Sequence, residues 1–542
     1  MALFVLLALV LAGRLVFLTL VEGPQNAQEA AKSRTVSVVA EAKRGTIYDR
    51  NGNILATSVD ATTIYCNPYE VDDASWEASQ IAGVLGGQAS DYEEALTSSN
   101  TSFAYVERKA DVGDAQKIKE LGLDGIYFLS DTKRVYPCGQ TAGQVVGLCD
   151  SDGNGISGLE LYYDEQLAGT DGELEVERGG GNYPIAGGLT EVTEAQDGQD
   201  IVVSIDIEMQ AYLEEKVKEA QELHGGERAD AVLYDGGTGE IIAIASTPFL
   251  NPADRSSVEE GATSLVPINN QYEPGSIFKS VTMSAILEAG VLNPDSEIYC
   301  PEYLQADEYT ISDSHERTSQ TMSLTRILAE SSNVGTSLAA KELGFGALYD
   351  KILEYNFTEK TGVDFPGEQP GSLSPQNTWS TVRSYNVSFG QGVLVTPLQM
   401  TRFYGALVND GVECTPHFLV NWPQAAQTPS YEREQVVENT AAIAPLISMM
   451  KQVVADKNGT GTDAQMEGFE PAGKTGTAEY TGEDGYYVDD SYNISFVGFL
   501  PDTNSQLVCF VGVTEVYEGG SVAGTFKDIM QFAVNHYRIS AQ

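Results

Sequence analysis

Positive charge is scarce in this chain. Of its 542 residues, 31 are Lys or Arg and 78 are Asp or Glu, which leaves a formal charge of −47. Such a surface repels phosphates and argues against a nucleic-acid partner; it suits a soluble, self-repelling protein. Histidine is scarcer still, with four residues: His224, His315, His417 and His536. None stands in a Gly-x-Ser-x-Gly or His-Glu-x-x-His setting, so neither a nucleophile elbow nor a zinc-peptidase helix is supported. The six cysteines (Cys66, Cys138, Cys149, Cys300, Cys414 and Cys509) lack Cys-x-x-Cys spacing, and no metal site is expected. Cys509 lies in an apolar strand and reads as a buried thiol. Cys138 and Cys149 are near enough in sequence to pair, but no disulfide is assigned. Low-complexity tracts and fixed-period repeats are absent. The length allows two or three domains with a full core.

What is present begins with one apolar run, Ala2 to Val21, long enough to span a bilayer and longer than a signal-peptide core. An uncleaved single-pass anchor over residues 1–21 is expected. Arg14 sits inside it and either meets a partner helix or snorkels to an interface. Lys32, Arg34, Lys43 and Arg44 all follow the run, so charge bias gives little support for an outward-facing carboxyl end. Residues 22–35 are polar and Ala-rich, as a stalk would be.

The chemistry centres on Tyr272-Glu273-Pro274-Gly275-Ser276-Ile277-Phe278-Lys279. Pro274 and Gly275 predict a turn. Ile277, Phe278, Val281, Ile286 and Leu287 then predict a buried helix that Gly290 stops. Ser276 and Lys279 are three apart and rise on one face. A serine hydroxyl needs a base within reach, and lysine can be that base only if burial or neighbouring cations lower its pKa. Alone, Ser-x-x-Lys arises by chance about once or twice in a chain this long. Two further motifs follow in order. Ser331-Ser332-Asn333 ends an apolar helical run through Leu324, Ile327 and Leu328. Lys474-Thr475-Gly476-Thr477 precedes two strand-like runs, Ile494–Leu500 and Leu507–Val513.

Ser-x-x-Lys, Ser-x-Asn and Lys-Thr-Gly, in this order, resemble the active-site signature of penicillin-binding proteins and serine β-lactamases. Arg44-Gly45-Thr46-Ile47-Tyr48-Asp49-Arg50-Asn51-Gly52 reads by itself as a β-hairpin turning at Asn51-Gly52. It also resembles the segment opening the ectodomain of class B penicillin-binding proteins. Arg134–Pro137, Gly158–Tyr163 and Leu167–Gly169 match other segments of that pedestal. Ile311–His315, Thr361–Glu368 and Ser388–Gly392 resemble segments of the catalytic domain. His315 reads as structural.

The resemblance implies a mixed α/β (α+β) serine transpeptidase fold, an antiparallel sheet flanked by helices. An α+β pedestal and one transmembrane helix would precede it. The expected domains are anchor 1–21, pedestal 22–200 and transpeptidase 201–542. Within these, Trp76–Leu96 and Val112–Leu121 predict helices, as do Ile207 to Leu223 and Thr525 to Tyr537. Ala229–Ser246 predicts a hairpin. The activity implied is D,D-transpeptidation of peptidoglycan stem peptides through an acyl-enzyme in division or sporulation, with β-lactams as donor mimics. Ser276 would attack, Lys279 would take its proton, and Ser331 and Asn333 would bridge Lys279 and the substrate amide. Lys474, with Thr475 and Thr477 of the Lys-Thr-Gly motif around Gly476, would hold a terminal carboxylate. The N–H groups of Ser276 and Thr477 would form the oxyanion hole. No cofactor is implied. The implied partners are a polytopic membrane glycosyltransferase and division or sporulation proteins, and the implied location is the cell membrane with an extracytoplasmic catalytic domain. A β-lactamase, a D,D-carboxypeptidase and a non-catalytic sensor or scaffold are the alternatives.

Overall fold

The structure, a computed structural model, describes residues 1–20, 35–99, 101–178, 184–425, 428–481, 487–517 and 519–542. Two compact units interleave along the chain. The first comprises Met1–Gly45, Ser58–Arg134 and Glu165–Gln199; the second comprises Thr46–Thr57, Val135–Asp164 and Asp200–Gln542. Two stretches expected in the pedestal thus fold with the second unit, because their partners are there. Ile47 and Tyr48 run parallel to Ile201 and Val202 and antiparallel to Ala56 and Ile54 across the expected hairpin, where Gly52 takes φ 85°. Gln144 is buried, accepts from the Ser246 N–H at 3.1 Å and donates to the Ser264 carbonyl at 3.0 Å. Tyr163 donates to Asp364 at 2.6 Å.

In the first unit, Ala2–Leu20 is one helix of 19 residues with its apolar side chains exposed. Among the described residues no helix is long and apolar enough to cross a membrane. Val21, the last residue of the run expected to span, and the stalk through residue 34 lie outside the described residues. Thr35–Ala40, Gly172–Arg178 and Pro184–Thr193 form a three-stranded antiparallel sheet. The helix read over Trp76–Leu96 is two helices, Ala74–Leu85 and Ala89–Leu96. Gly86 and Gly87 interrupt it at φ 84° and 73°, outside the right-handed region a helix requires. With Val112–Leu121 these helices bury Ile81, Leu96 and Ile118 against Ile64 and Val106.

The second unit is organised by a five-stranded antiparallel sheet. Helix α1 (Ile207–His224) leads into the hairpin β1 (Arg228–Asp235) and β2 (Ile241–Ser246). Helices α2 (Lys279–Glu288), α3 (Leu324–Ala329), α4 (Asn333–Leu343) and α5 (Pro397–Val408) follow. The chain returns through β3 (Ala472–Thr481), β4 (Tyr487–Phe499) and β5 (Leu507–Val516), and ends in α6 (Ala523–Tyr537). Strand order is β2-β1-β5-β4-β3, which leaves β3 at an edge. One face of the sheet packs α1 and α6 through Leu213, Val217, Val513, Phe526 and Ile529. The period-2 alternation of strands puts the neighbouring positions on the other face, and α5 lies there against β1 and β5. All six cysteines are free.

Close backbone approach fixes where the nucleophile turn sits on that face. A Cβ at Gly275 would stand 2.7 Å from the Thr477 carbonyl oxygen, and one at Gly476 would stand 2.3 Å from Ser495 Oγ and 3.0 Å from Ile277. Behind the turn, Gly275 N–H donates to the Gly390 carbonyl at 3.0 Å. A Cβ at Gly390, whose φ is 88°, would be 2.1 Å from the Gly275 oxygen. Gly390→Ala is therefore expected to lose roughly 1–3 kcal/mol of stability through backbone strain, seen as a lower urea midpoint; an unchanged midpoint would mean the segment yields without cost.

Candidate active site

Ser276 stands on a single 3₁₀ turn, Gly275–Phe278, that runs directly into α2 at Lys279. The helix predicted from Ser276 is thus tighter over its first turn. In 3₁₀ geometry residues three apart eclipse, which strengthens the shared face of Ser276 and Lys279. The turn is held from behind by Tyr404 of α5, whose hydroxyl lies 3.0 Å from the Ile277 carbonyl and 2.9 Å from Ser280 Oγ. Ser276 is half-buried and Lys279 is fully buried.

Lys279 Nζ donates to the Ser331 carbonyl at 2.6 Å and to Asn333 Oδ1 at 2.7 Å, and it lies 3.1 Å from Ser331 Oγ. Ser331 occupies the joint between α3 and α4 at φ 57°, a left-handed conformation uncommon for serine. That joint lets both its carbonyl and its hydroxyl face Lys279. Lys474, fully buried on β3, donates to the same Ser331 Oγ at 3.0 Å and to the Thr475 carbonyl at 3.0 Å. Thr475 is tied to Thr460 by hydroxyls 2.5 Å apart. Gly476 is buried beneath the nucleophile turn, and Thr477 is exposed on the same strand. The structure thus gathers Lys279, Ser331, Asn333, Lys474 and Thr475 into one hydrogen-bonded group beside Ser276.

Two ammonium groups bracket one hydroxyl with no carboxylate bonded to either nitrogen in the described contacts. Burial lowers Lys279 to about 7, and the charge of Asp313 acts in the opposite sense. Lys474 is pushed well below the usual lysine range by burial and then by the charge of Lys279. A lysine poised near neutrality can exist as a free amine and accept a serine proton. An anionic group brought beside Lys474 on β3 would favour its charged form and pair with it.

Sequence reading passed over Asp313. The titratable residue that drew attention in its segment was His315, which is exposed. Asp313 is the one that organises the site: it accepts from Ser332 Oγ at 2.8 Å and from the Val334 N–H at 2.9 Å, and it pairs with Arg317. Asn333 meanwhile donates to the Ser312 carbonyl at 3.0 Å. The available signal was a carboxylate in a segment already flagged as close to the site, but only the fold shows that it caps the α4 amino terminus. Among the described residues, no cluster of three or more His, Cys, Asp or Glu is placed to hold a metal ion.

Residues 229–531 match the family described as the penicillin-binding protein transpeptidase domain, and residues 39–203 match the penicillin-binding protein dimerisation domain. The chain belongs to the class B penicillin-binding proteins. It is 32% identical to the protein named probable peptidoglycan D,D-transpeptidase PbpC of Pseudomonas aeruginosa, over 97% of this chain and 93% of that one. It is 30% identical to stage V sporulation protein D of Bacillus subtilis, over 96% and 82%. The solved structure of penicillin-binding protein 2X from Streptococcus thermophilus superposes with a TM-score of 0.77 at 25% identity, covering 92% of this chain and 80% of that one. This class B penicillin-binding protein pairs a mixed α/β transpeptidase domain with a dimerisation domain.

Burial acts to raise the Asp313 carboxyl, but the hydrogen bonds from Arg317, Val334 and Ser332 outweigh it and hold the group below the usual carboxylate range. Its contribution to stability is therefore complete above the unfolded value, about 4, and is lost as pH falls through the lower folded value. Asp313→Asn should lower the unfolding midpoint at neutral pH by the equivalent of about 1–3 kcal/mol and flatten the acid limb of the stability curve. A variant with the wild-type acid limb would remove this role from Asp313.

Proposed function

We propose that this protein is a peptidoglycan D,D-transpeptidase that works through an acyl-enzyme on Ser276. The observation that carries the reading is the buried Lys279, one turn from Ser276 and bonded to Ser331 and Asn333. Ser276 Oγ attacks the amide carbonyl between the two terminal D-alanines of a stem peptide, and Lys279 takes the hydroxyl proton. The carbonyl oxygen gathers negative charge opposite the N–H groups of Ser276 and Thr477. The C–N bond breaks, the amine of the departing D-alanine receives a proton, and an ester to Ser276 remains. Ser331, which touches both lysines, is placed to pass that proton. A neighbouring stem-peptide amine then attacks the ester, Ser276 recovers its proton, and the cross-link is complete. Asn333 orients the substrate amide, and Lys474 with Thr475 and Thr477 holds the terminal carboxylate of the donor. A β-lactam enters as the donor does and leaves its acyl group on Ser276.

The same reading assigns residues 1–21 to a single-pass membrane anchor and, in chain order, 22–200 to the pedestal and 201–542 to the transpeptidase, with Thr46–Thr57 and Val135–Asp164 of the pedestal stretch packing into the second unit. The apolar exposed helix Ala2–Leu20 supports the anchor. Its Arg14 guanidinium lies 5.6 Å from the Phe17 ring, as a charge shielded by its own helix would. The catalytic domain then faces the cell wall. Division or sporulation proteins, among them a polytopic membrane glycosyltransferase, are the proposed partners; similarity to a stage V sporulation protein favours that setting.

The decisive test is labelling with a fluorescent penicillin beside Ser276→Ala, followed by intact mass over hours. A stable adduct on the wild type, missing from the variant, is expected; rapid decay would indicate a hydrolase, and no adduct a scaffold. Because the lysine must be neutral to act, the acylation rate should rise with pH through about 7 and fall to background in Lys279→Ala without loss of fold. A normal rate in that variant would sink the base assignment. Lys474→Ala should slow acylation by carboxylate-bearing β-lactams by roughly 10- to 100-fold, the scale of a lost charge-assisted contact; an unchanged rate would remove its role.

A further inference from the structure

A cavity of about 370 Å³ opens beside the segment that leads into the nucleophile turn. Its floor is a row of residues in register across β1, β5 and β4: Asp230, Gly512 and Ser495. Its wall is the Gln271-Tyr272-Glu273 segment, and Glu227, Arg228, Glu479 and Glu515 also line it. None of Ser276, Lys279, Ser331, Asn333 or Lys474 lines it. The size falls within the range of small-molecule sites.

Two buried polar atoms in this cavity, Asp230 Oδ2 and the Tyr272 hydroxyl, have no hydrogen-bond partner among the described residues. Asp230 is 3% exposed. A buried carboxylate without a partner is costly, and the surroundings keep room for it. A Cβ at Gly512 would sit 2.9 Å from Asp230 Oδ1 and 3.1 Å from the Phe510 ring. Tyr272 and Phe510 stand edge to face with ring centroids 6.2 Å apart. A carboxylate beside two aromatic rings is the chemistry that recognises an alkylammonium group, by charge pairing and by the ring faces. Five carboxylates line the cavity against the single guanidinium of Arg228, and the described ion pairs do not join Arg228 to Asp230. The ring walls, and the lack of three converging ligands among the described residues, disfavour a metal ion.

We infer that this cavity is a binding site for a small organic ammonium ion, with Asp230 as the counter-charge and Tyr272 and Phe510 as the aromatic walls. The site is separate from the acyl-transfer centre and does not rest on that assignment. Burial pushes the Asp230 carboxyl up to about 7, so in the empty cavity it is half-protonated near neutrality. The other titratable groups lining the cavity are Glu227, Arg228, Glu515 on β5, Glu479 and Tyr480 on β3, and Tyr272 and Glu273 on the wall, and burial alone sets the direction for Asp230. Glu273 is engaged by the Gly392 N–H at 2.7 Å and the Tyr487 hydroxyl at 2.9 Å. A cation favours the ionised carboxyl, so affinity strengthens as pH rises through about 7 and weakens below it, where the ligand must displace a proton.

The test is calorimetric titration of the full-length protein with 1,5-diaminopentane, beside 1-pentanol and the isosteric variant Asp230→Asn. Saturable binding is expected at about pH 8, weaker by up to about 10-fold at about pH 6, at least about 10-fold weaker in Asp230→Asn, and absent for 1-pentanol. Equal affinity in Asp230→Asn, equal binding of 1-pentanol, or no saturation by about 10 mM diamine would each overturn the proposal. Diffraction from wild-type crystals soaked in the diamine decides independently of the variant's folding: density against Asp230 supports the site, and density elsewhere or solvent alone overturns it.

Discussion

Two lysine amino groups share one serine hydroxyl in the interior of this protein, and much of the second unit is arranged around that contact. Taking a charge out of water costs several kcal/mol even after relaxation, and a like charge alongside adds to that cost, so both groups are pushed toward the neutral amine. The protein does not offset them with an adjacent carboxylate, which would hold Lys279 protonated. It supplies oxygens: the Ser331 carbonyl and hydroxyl, Asn333 Oδ1 and the Thr475 carbonyl. The consequence is a lysine near neutrality, the state in which it can take a proton.

That arrangement depends on backbone in unusual places. Ser331 presents two oxygens to Lys279 because it adopts a left-handed conformation between two short helices, and Asp313 fixes the second of those helices by accepting from Ser332 and Val334. Asp313 therefore acts at one remove: its hydrogen bonds place the oxygens, and its charge moderates the fall in the Lys279 pKa. On the opposite side, glycines at 275, 390 and 476 let the nucleophile turn lie directly on β3, where any side chain would separate them. Strain and close approach gathered at a site are the usual mark of function, held by the packing around them.

The cavity behind the turn shows the same principle of incomplete satisfaction. Asp230 Oδ2 and the Tyr272 hydroxyl are buried without partners among the described residues, and neither residue belongs to the hydrogen-bonded group around Lys279. A folded protein pairs nearly all its buried polar atoms, so two orphans lining one cavity call for a ligand.

Much of this protein was legible before folding. The Ser-x-x-Lys, Ser-x-Asn and Lys-Thr-Gly motifs picked out the residues that the structure gathers, because turn and helix signals around them are local. Strands β1, β2 and β5 and helices α1 and α6 follow from period-2 and period-3.6 apolar patterns. Local sequence does not report long-range partners, and it erred or fell silent there. It joined two helices across Gly86-Gly87, since apolar periodicity does not register a φ near 84°. It was silent on Thr46–Thr57 and Val135–Asp164, which strand pairing and the Gln144 hydrogen bonds join to the second unit. The sequence by itself determined which side chains could do the chemistry and the elements that carry them. Only the tertiary structure decided the lowered Lys279 pKa, the role of Asp313 and the orphaned Asp230. Desolvation and hydrogen bonding depend on what surrounds a group in space, and residues far apart in the chain supply those surroundings.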